Sequence, residues 1–498
     1  MPCGVFSLAT YLNEKMQGKM KSKILDLNLY DDYLSILEQN IVDFSPDIIG
    51  ISLMFDVSYI YLQDITSTIK RKGSKAKILL GGAAATSSYK EILEDNPSID
   101  AICYYEGELP LLRFIKSDGR IDFLDKDPSW ITKKSLLDKP LASNLQNLDD
   151  VIHLDYSLIN YSDYKLEEAF SPFVSKAKVK KHFFLFTSRG CKFKCYFCIH
   201  SSHNDSSIRY ASVEKVINHV KYLVDTYGLN VLTIYDDQIL FNKNRAKNIF
   251  RELSKLNIRI ECPNGLSPAY IDEEMAYLMK AAGMDTVCLA IESGSEHVLN
   301  NIIKKPLKLK KLPSVINFLR KNEFWIQAFF VLGLPGETDT HRQETLKFIK
   351  HLGLDWSSFS LATPSKGSKL YTDCIKNGYI DKNIPLGGID NNKYIIKTPE
   401  YSPEYISEQA YLINLDVNFV NNYRMLKGDY RTSRLCFEDI IRRYPSHAFA
   451  HYYLSKSLNR GAGSNDDKDM AEKHMKNFED IIKNNASWRE KSEYFNLV

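Results

Sequence analysis

The spacing of hydrophobic and polar positions changes several times along the chain, and each change predicts an element. Val5–Met16, Tyr33–Val42 and Val57–Lys72 carry apolar residues at helical spacing. Short apolar runs at Lys23–Leu29, Ile48–Ser52, Lys77–Leu80 and Ala101–Tyr104 predict strands between and after them. Short strands alternating with amphipathic helices predict parallel βαβ units in a doubly wound sheet. Ligands of such sheets sit beyond the carboxyl ends of the strands. Those ends are Ser52–Phe55, Gly81–Thr86 and Glu106–Glu108.

Residues 117–181 hold no clear period and read as a packed connector with Pro128, Pro140 and Pro172. The alternation then resumes. Strands are expected at Phe183–Thr187, Val231–Tyr235, Arg259–Glu261, Thr286–Ile291, Ile326–Leu332 and Ser358–Ala362. Helices are expected at Ser212–Tyr227, Glu273–Ala282 and Asp339–Leu352. Six βα units predict an incomplete barrel whose site lies at the carboxyl strand ends. The final hundred residues change to a helical pattern, beginning at Glu404–Tyr423. Tyr430, Phe437, Ile440, Ile441, Pro445, Ala448, Tyr452 and Leu454 have the spacing of a tetratricopeptide (TPR) helix pair, with a weaker copy near Ala471–Ile482. A plain helical cap accounts for the same pattern.

Composition narrows the class. The chain has 498 residues, enough for about three domains. Lys and Arg number 65 against 62 Asp and Glu, so no basic excess suits the chain to a nucleic acid. No apolar run reaches the length of a membrane span, and no basic segment precedes an apolar stretch at the N-terminus. The expected setting is cytoplasmic, with no membrane and no nucleic-acid partner.

Nine cysteines, an odd number without a secretion signal, argue against a disulfide framework. Three of them, Cys191, Cys195 and Cys198, fall within eight residues. Random placement would produce that pair of spacings about 0.003 times per such chain. Two metal readings arise. Structural zinc wants four closed ligands, which His200 could complete. An iron–sulfur cluster held by three thiolates would leave one iron open to a substrate or cofactor. Cys103, Cys262, Cys288 and Cys374 read as buried small apolar residues, with Cys262 the one facing the expected cavity. His200 and His203 read as lying outside the ligand set, and Lys304–Lys311 as a solvated helix face.

Cys191-Lys192-Phe193-Lys194-Cys195-Tyr196-Phe197-Cys198 resembles the CxxxCxφC signature of the radical S-adenosylmethionine (SAM) superfamily, with Phe197 as the aromatic residue. The resemblance implies that the three cysteines hold a 4Fe–4S cluster. It also implies that the open iron chelates SAM, and that SAM is cleaved to methionine and a 5′-deoxyadenosyl radical. Further segments agree in order. Tyr235-Asp236-Asp237-Gln238 corresponds to the place where the family meets the SAM amino group, although a solvated acidic turn would look the same. Glu292-Ser293-Gly294-Ser295 resembles the fourth-strand "GxESGS" segment, which implies contacts from Glu292 and Ser293 to the ribose and methionine end. Lys304 stands at the family's basic position. Gly333-Leu334-Pro335-Gly336-Glu337-Thr338 resembles the fifth-strand "GLPGET" segment, whose Gly333 and Gly336 lie near adenine. Glu337 is expected to cap the following helix.

The first domain resembles the cobalamin (B12)-binding domain of one radical SAM branch. The matching landmarks are Ser52, Gly81, Gly82, Glu106, Gly107 and Glu108, while the family's opening strand has no counterpart before Met1-Pro2-Cys3-Gly4. The glycines would admit the corrin tail and ring. No DxHxxG cobalt-ligand motif is present. The branch implies methyl transfer to an unactivated carbon of a small-molecule or peptide substrate, using methylcobalamin and a 5′-deoxyadenosyl radical. It also implies an external electron donor such as flavodoxin or ferredoxin. Two alternatives remain: radical SAM rearrangement, cyclisation or dehydrogenation without cobalamin, and a zinc-stabilised scaffold.

The fold class expected is α/β: a doubly wound Rossmann-like domain, a radical SAM partial (β/α)6 barrel and an all-helical, TPR-like C-terminal extension. The expected boundaries are 1–125, a connector 126–180, 181–395 and 396–498. The last helices would suit a protein partner.

Overall fold

The computed structural model describes residues 2–72, 75–164, 181–200, 207–390, 392–461 and 465–498. They form two compact units, both interrupted in sequence. The first comprises 1–167, 187–219 and 363–393; the second comprises 168–186, 220–362 and 394–498.

In the first unit, β1 (Ile48–Ser52), β2 (Lys77–Gly81) and β3 (Ala101–Cys103) pair in parallel in that spatial order. β2 and β3 are covered on both faces and are runs of apolar residues without alternation, while β1 at the edge is half-buried, with Gly50 and Ser52 exposed. Ile78, Leu80 and Ile102 pack with Leu37, Ile41 and Ile69 from the helices Tyr33–Phe44 and Leu62–Arg71. Leu79, Ala101 and Cys103 face Phe114, Leu124 and Trp130 on the other side. Two expectations fail here. Lys23–Leu29 forms no strand; it holds only a short helical turn at Leu27–Leu29, started by the Asp26 side chain accepting from Asn28 N. Within the connector, β4 (Trp130–Ile131) adds to the sheet edge antiparallel to β3. Two residues are too few to show a period, whereas the burial of Trp130 and Ile131 holds them in place. The rest of the expected connector from residue 165 to 180 lies outside the described residues.

The second unit begins with β5 (His182–Leu185). The antiparallel ribbon β6 (Ser188–Arg189) and β7 (Arg209–Tyr210) belongs to the first unit. Next come β8 (Val231–Ile234), β9 (Arg259–Glu261), β10 (Thr286–Glu292), β11 (Trp325–Leu332) and β12 (Trp356–Leu361). The six long strands of the second unit are parallel in two sheets, β5-β8-β9 and β10-β11-β12, linked by a bridge between Leu266 and Leu289.

The C-terminal helices share a core with this barrel. Trp325 lies in one apolar cluster with Phe419, Phe437, Phe449 and Phe478. Buried Asp355 pairs with Arg320 and with Arg424 of the helical region. Asn418, in a π-helical turn at Asp416–Val420, accepts from Ser357 N at 2.9 Å and donates to Ser357 O at 2.8 Å. One side-chain amide thereby satisfies a β12 backbone donor and acceptor at the sheet edge, where water is excluded. The helices Tyr430–Arg443 and Ala448–Arg460 form the hairpin that the apolar spacing places there. No helix among the described residues is long and apolar enough to cross a membrane.

Candidate functional site

The cysteine loop follows β6 in the first unit. Gly190 takes φ +102°, and a Cβ there would come 2.4 Å from Ser207 O, so only glycine lets the ribbon close behind the loop. Cys195 is buried, Cys191 and Cys198 are half-buried, and Cys198 N donates to Cys195 O at 3.0 Å. Phe197 is half-buried in the same turn. All nine cysteines are free thiols. Among the described residues no three His, Cys, Asp or Glu side chains already stand grouped around a metal position. The three thiols of this loop nevertheless have the donor chemistry that an iron–sulfur cluster takes, so the residues fit that group.

Two arginines bracket this loop, and both meet the strand-end glutamates of the Rossmann-like sheet. Arg209 in β7 grips Glu106 through two bonds, of 2.6 and 2.8 Å, and Leu145 N donates to the same carboxylate at 3.1 Å. Arg189 in β6 pairs with Glu108 at 2.8 Å and stands 3.4 Å from Glu106. Burial alone would raise the Glu106 pKa, but Arg209, Arg189 and the Leu145 amide together hold it below the ordinary carboxylate range. Glu106 and Glu108 are thus committed to the ribbon that carries the cysteines. Sequence reasoning missed both arginines, whose signal was their position in Arg189-Gly190-Cys191 and just ahead of the helix Val213–Tyr227.

The remaining first-unit candidates gather at the ends of β1 and β2. Ser52 is exposed. Gly82 takes φ +105°, and a Cβ there would stand 2.5 Å from Leu53 O, so the Leu53 backbone by itself demands this glycine. A Cβ on Gly81 would meet Cys103 at an ordinary 3.9 Å, and one on Gly107 would press Leu8 at 3.1 Å. Met54 and Phe55, just past β1, are 51% and 63% exposed. Open apolar side chains beside an exposed Ser52 fit a large flat corrin better than water.

In the second unit Asp236 is buried and Asp237 half-buried beyond the end of β8. Asn264 Nδ2 holds this turn by donating to Tyr235 O at 2.8 Å and Asp236 O at 3.4 Å. The buried Cys262 thiol stands beside it. Burial drives its pKa well up, and neighbouring Asp236, Cys288 and Glu261 push the same way. Glu292 ends β10 at φ +73°, after a register shift between Ala290 and Glu292.

The basic partner of Glu292 is Lys305, not Lys304. Lys305 Nζ lies 2.8 Å from Glu292 Oε1 and 2.7 Å from Ala290 O. Lys304 closes the π-helical turn Val298–Ile303 in a left-handed conformation. Lys305 is only 4% exposed, so the expected solvated face of Lys304–Lys311 does not extend to it.

Ser293 Oγ lies 3.1 Å from Thr345 Oγ1 and accepts from Ser295 N at 3.1 Å. Gly333, at φ +80°, packs where a Cβ would meet Ile406 and Tyr394 within 2.8 Å. Gly336 takes φ +87° with its nearest neighbour, Ile302, at 3.6 Å.

Glu337 does not cap the next helix. Thr338 does so, accepting from His341 N, while Glu337 folds back to accept from Gly333 N at 2.6 Å. Burial lifts the Glu337 pKa to about 7, against the pull of the Gly333 amide and Arg342.

Two family models match this chain: the B12 binding domain over residues 1–115 and the Radical SAM superfamily over residues 185–349. A cytidylyl-2-hydroxyethylphosphonate methyltransferase of Streptomyces wedmorensis is 28% identical over 419 residues, covering 78% of this chain and 77% of the relative. An anaerobic magnesium-protoporphyrin IX monomethyl ester cyclase of Cereibacter sphaeroides is 22% identical over 405 residues, covering 79% and 62%. The solved structure of the cobalamin-dependent radical SAM enzyme OxsB, with aqua-cobalamin and SAM bound, superposes with TM-score 0.61 at 16% identity, covering 99% of this chain and 78% of that one.

Proposed function

We propose that this chain, which belongs to the radical SAM superfamily and carries an N-terminal B12-binding domain, is a cobalamin-dependent methyltransferase acting on an unactivated carbon of a small molecule. The observation that supports this most is the coexistence of the two domains with similarity to a methyltransferase over 78% of this chain. When bound, the 4Fe–4S cluster supplies the electron that cleaves SAM, and cobalamin supplies the methyl group. Cys191, Cys195 and Cys198 would hold the cluster as thiolates, with Phe197 shielding it. Asp236 and Asp237 would accept bonds from the SAM ammonium, as carboxylates do. Glu292, oriented by Lys305, and Ser293 would meet the ribose and methionine end, with Gly333 and Gly336 shaping the turn near the adenine. Ser52, Gly81, Gly82 and Gly107 would border the corrin. Glu106 and Glu108 would act through Arg209 and Arg189 on the cysteine loop, not as corrin ligands. The domain limits at 125, 180 and 395 are part of this reading. So are a cytoplasmic setting, a flavodoxin- or ferredoxin-type electron donor and a protein partner at the C-terminal helices.

A cyclase among the relatives favours the runner-up, radical cyclisation or rearrangement. One experiment separates the readings. The full chain is reconstituted anaerobically with iron, sulfide and cobalamin, then given SAM and a reductant. About four irons and one cobalt per chain are expected, with the visible spectrum of methylated cobalamin and formation of 5′-deoxyadenosine. The triple Cys191→Ala, Cys195→Ala, Cys198→Ala variant should lose iron and SAM cleavage together. Retention of the cluster without cobalt would overturn methyl transfer, and zinc without sulfide would overturn the radical chemistry.

A further inference from the structure

After β12 the chain leaves the second unit and returns to the first. The returning segment, residues 363–393, lies beyond both matched family segments. Its helix Lys369–Lys376 is started by Ser368, whose hydroxyl accepts from Tyr371 N at 3.1 Å, and is anchored by fully buried Leu370 and Cys374.

That helix meets the cysteine loop. Leu370 N donates to Tyr196 O at 3.1 Å, and the Tyr196 hydroxyl is hydrogen-bonded to Asp373. Tyr196 stands between Cys195 and Phe197, inside the turn that Cys198 N closes by donating to Cys195 O. Leu370 and Asp373 share one helix face. One turn of helix therefore holds the loop by main chain and by side chain, at a residue that is not itself a thiol.

The far end of the segment meets the loop after β1. Asp56 Oδ2 accepts from Gly387 N at 3.0 Å and from Ile389 N at 3.3 Å. Gly387 takes φ +80°, and a Cβ there would stand 2.9 Å from Ile60 Cγ2. Leu386 packs against the core that holds Leu53 and Ile78. Ahead of the helix, Lys366 pairs with Glu91 at 3.1 Å. All of these partners belong to the first unit. Three thiols must be ordered together when a cluster binds, and each loop residue fixed beforehand lowers the cost of that ordering.

We propose that residues 363–393 form a strap that positions the cysteine loop for its cluster, with Tyr196 as the positioning residue at the loop and Asp56 as the latch at the far end. The proposal rests on the reading that Cys191, Cys195 and Cys198 hold the cluster.

The test follows loss of the cluster's visible absorbance from the reconstituted full-length protein after an iron chelator is added, with melting of the apo-protein measured beside it. Tyr196→Phe keeps the ring and removes the bond to Asp373; Asp56→Ala removes both bonds of the latch. Each should speed cluster loss by roughly fivefold, the worth of about one hydrogen bond. Asp56→Asn should restore most of the retention, because both main-chain amides use one oxygen and asparagine keeps one. The double variant Tyr196→Phe, Asp56→Ala should be little worse than the worse single variant, since weakening either end slackens the same strap, whereas unconnected sites add their effects. Cluster loss at the unsubstituted rate in both single variants, multiplied effects in the double variant, or a fall in apo-protein melting that accounts for the faster loss would each overturn the proposal. Failure of the unsubstituted protein to take up iron and sulfide is seen before any variant is made, and would overturn the cysteine reading and the strap's role with it.

Discussion

Two acidic pairs end strands in this chain, and their surroundings differ. Glu106 and Glu108, beyond β3, are gripped by Arg209 and Arg189. Asp236 and Asp237, beyond β8, sit in a turn that Asn264 holds by its main-chain carbonyls, and the buried Asp236 carboxylate stands beside the Cys262 thiol. In the first pair arginines of the cysteine ribbon hold the carboxylates; in the second an asparagine side chain holds the main-chain carbonyls of the turn. An acidic pair after a strand is therefore one signal for two different ways of fixing a turn.

Breaking the first pair should have the largest effect. Arg209→Ala leaves Glu106 partly buried without its bidentate partner, and removing one member of such a pair costs about 3–5 kcal/mol. Denaturant unfolding should show that loss, and iron retention should fall with it because Arg209 borders the cysteine loop.

Glu337 sharpens the comparison as a third acidic residue after a strand, buried with Arg342 3.5 Å away. Its folded pKa, about 7, lies above its ordinary value of 4.5. The folded state therefore holds a proton that the unfolded state has lost between those limits. Stability should fall as pH rises from 4.5 to 7, by roughly 3 kcal/mol, and then level off. Glu337→Gln should flatten that part of the profile. A profile of the same slope in the variant would count against burial as the cause.

The smallest effect is expected at the second pair. Asp236→Asn keeps size, and on the reading that Asp236 meets the SAM ammonium, SAM affinity should drop about tenfold, equivalent to roughly 1.4 kcal/mol. Unchanged SAM affinity would remove Asp236 from the SAM-binding residues.

Much of this architecture was legible because strand and helix periods are local. The apolar runs at Ile48–Ser52 and Val231–Ile234 and the helix Asp339–Leu352 fall where the pattern puts them. Lys23–Leu29 has a strand-like composition but forms no strand, because a strand needs a neighbour to pair its backbone. Trp130–Ile131 becomes one with no visible period, because β3 supplies that neighbour.

By itself the sequence determined the alternation of strands and helices, the cysteine spacing and the order of the glycine-rich turns. Each rests on residues close along the chain, where periodicity and turn chemistry act. Only the tertiary structure decided that Glu106 and Glu108 serve the cysteine loop, that Lys305 and not Lys304 reaches Glu292, and that Glu337 closes a turn. These choices depend on which distant groups meet in low dielectric, where a partnered charge is held and an unpartnered one is costly. Spacing along the chain does not encode those meetings.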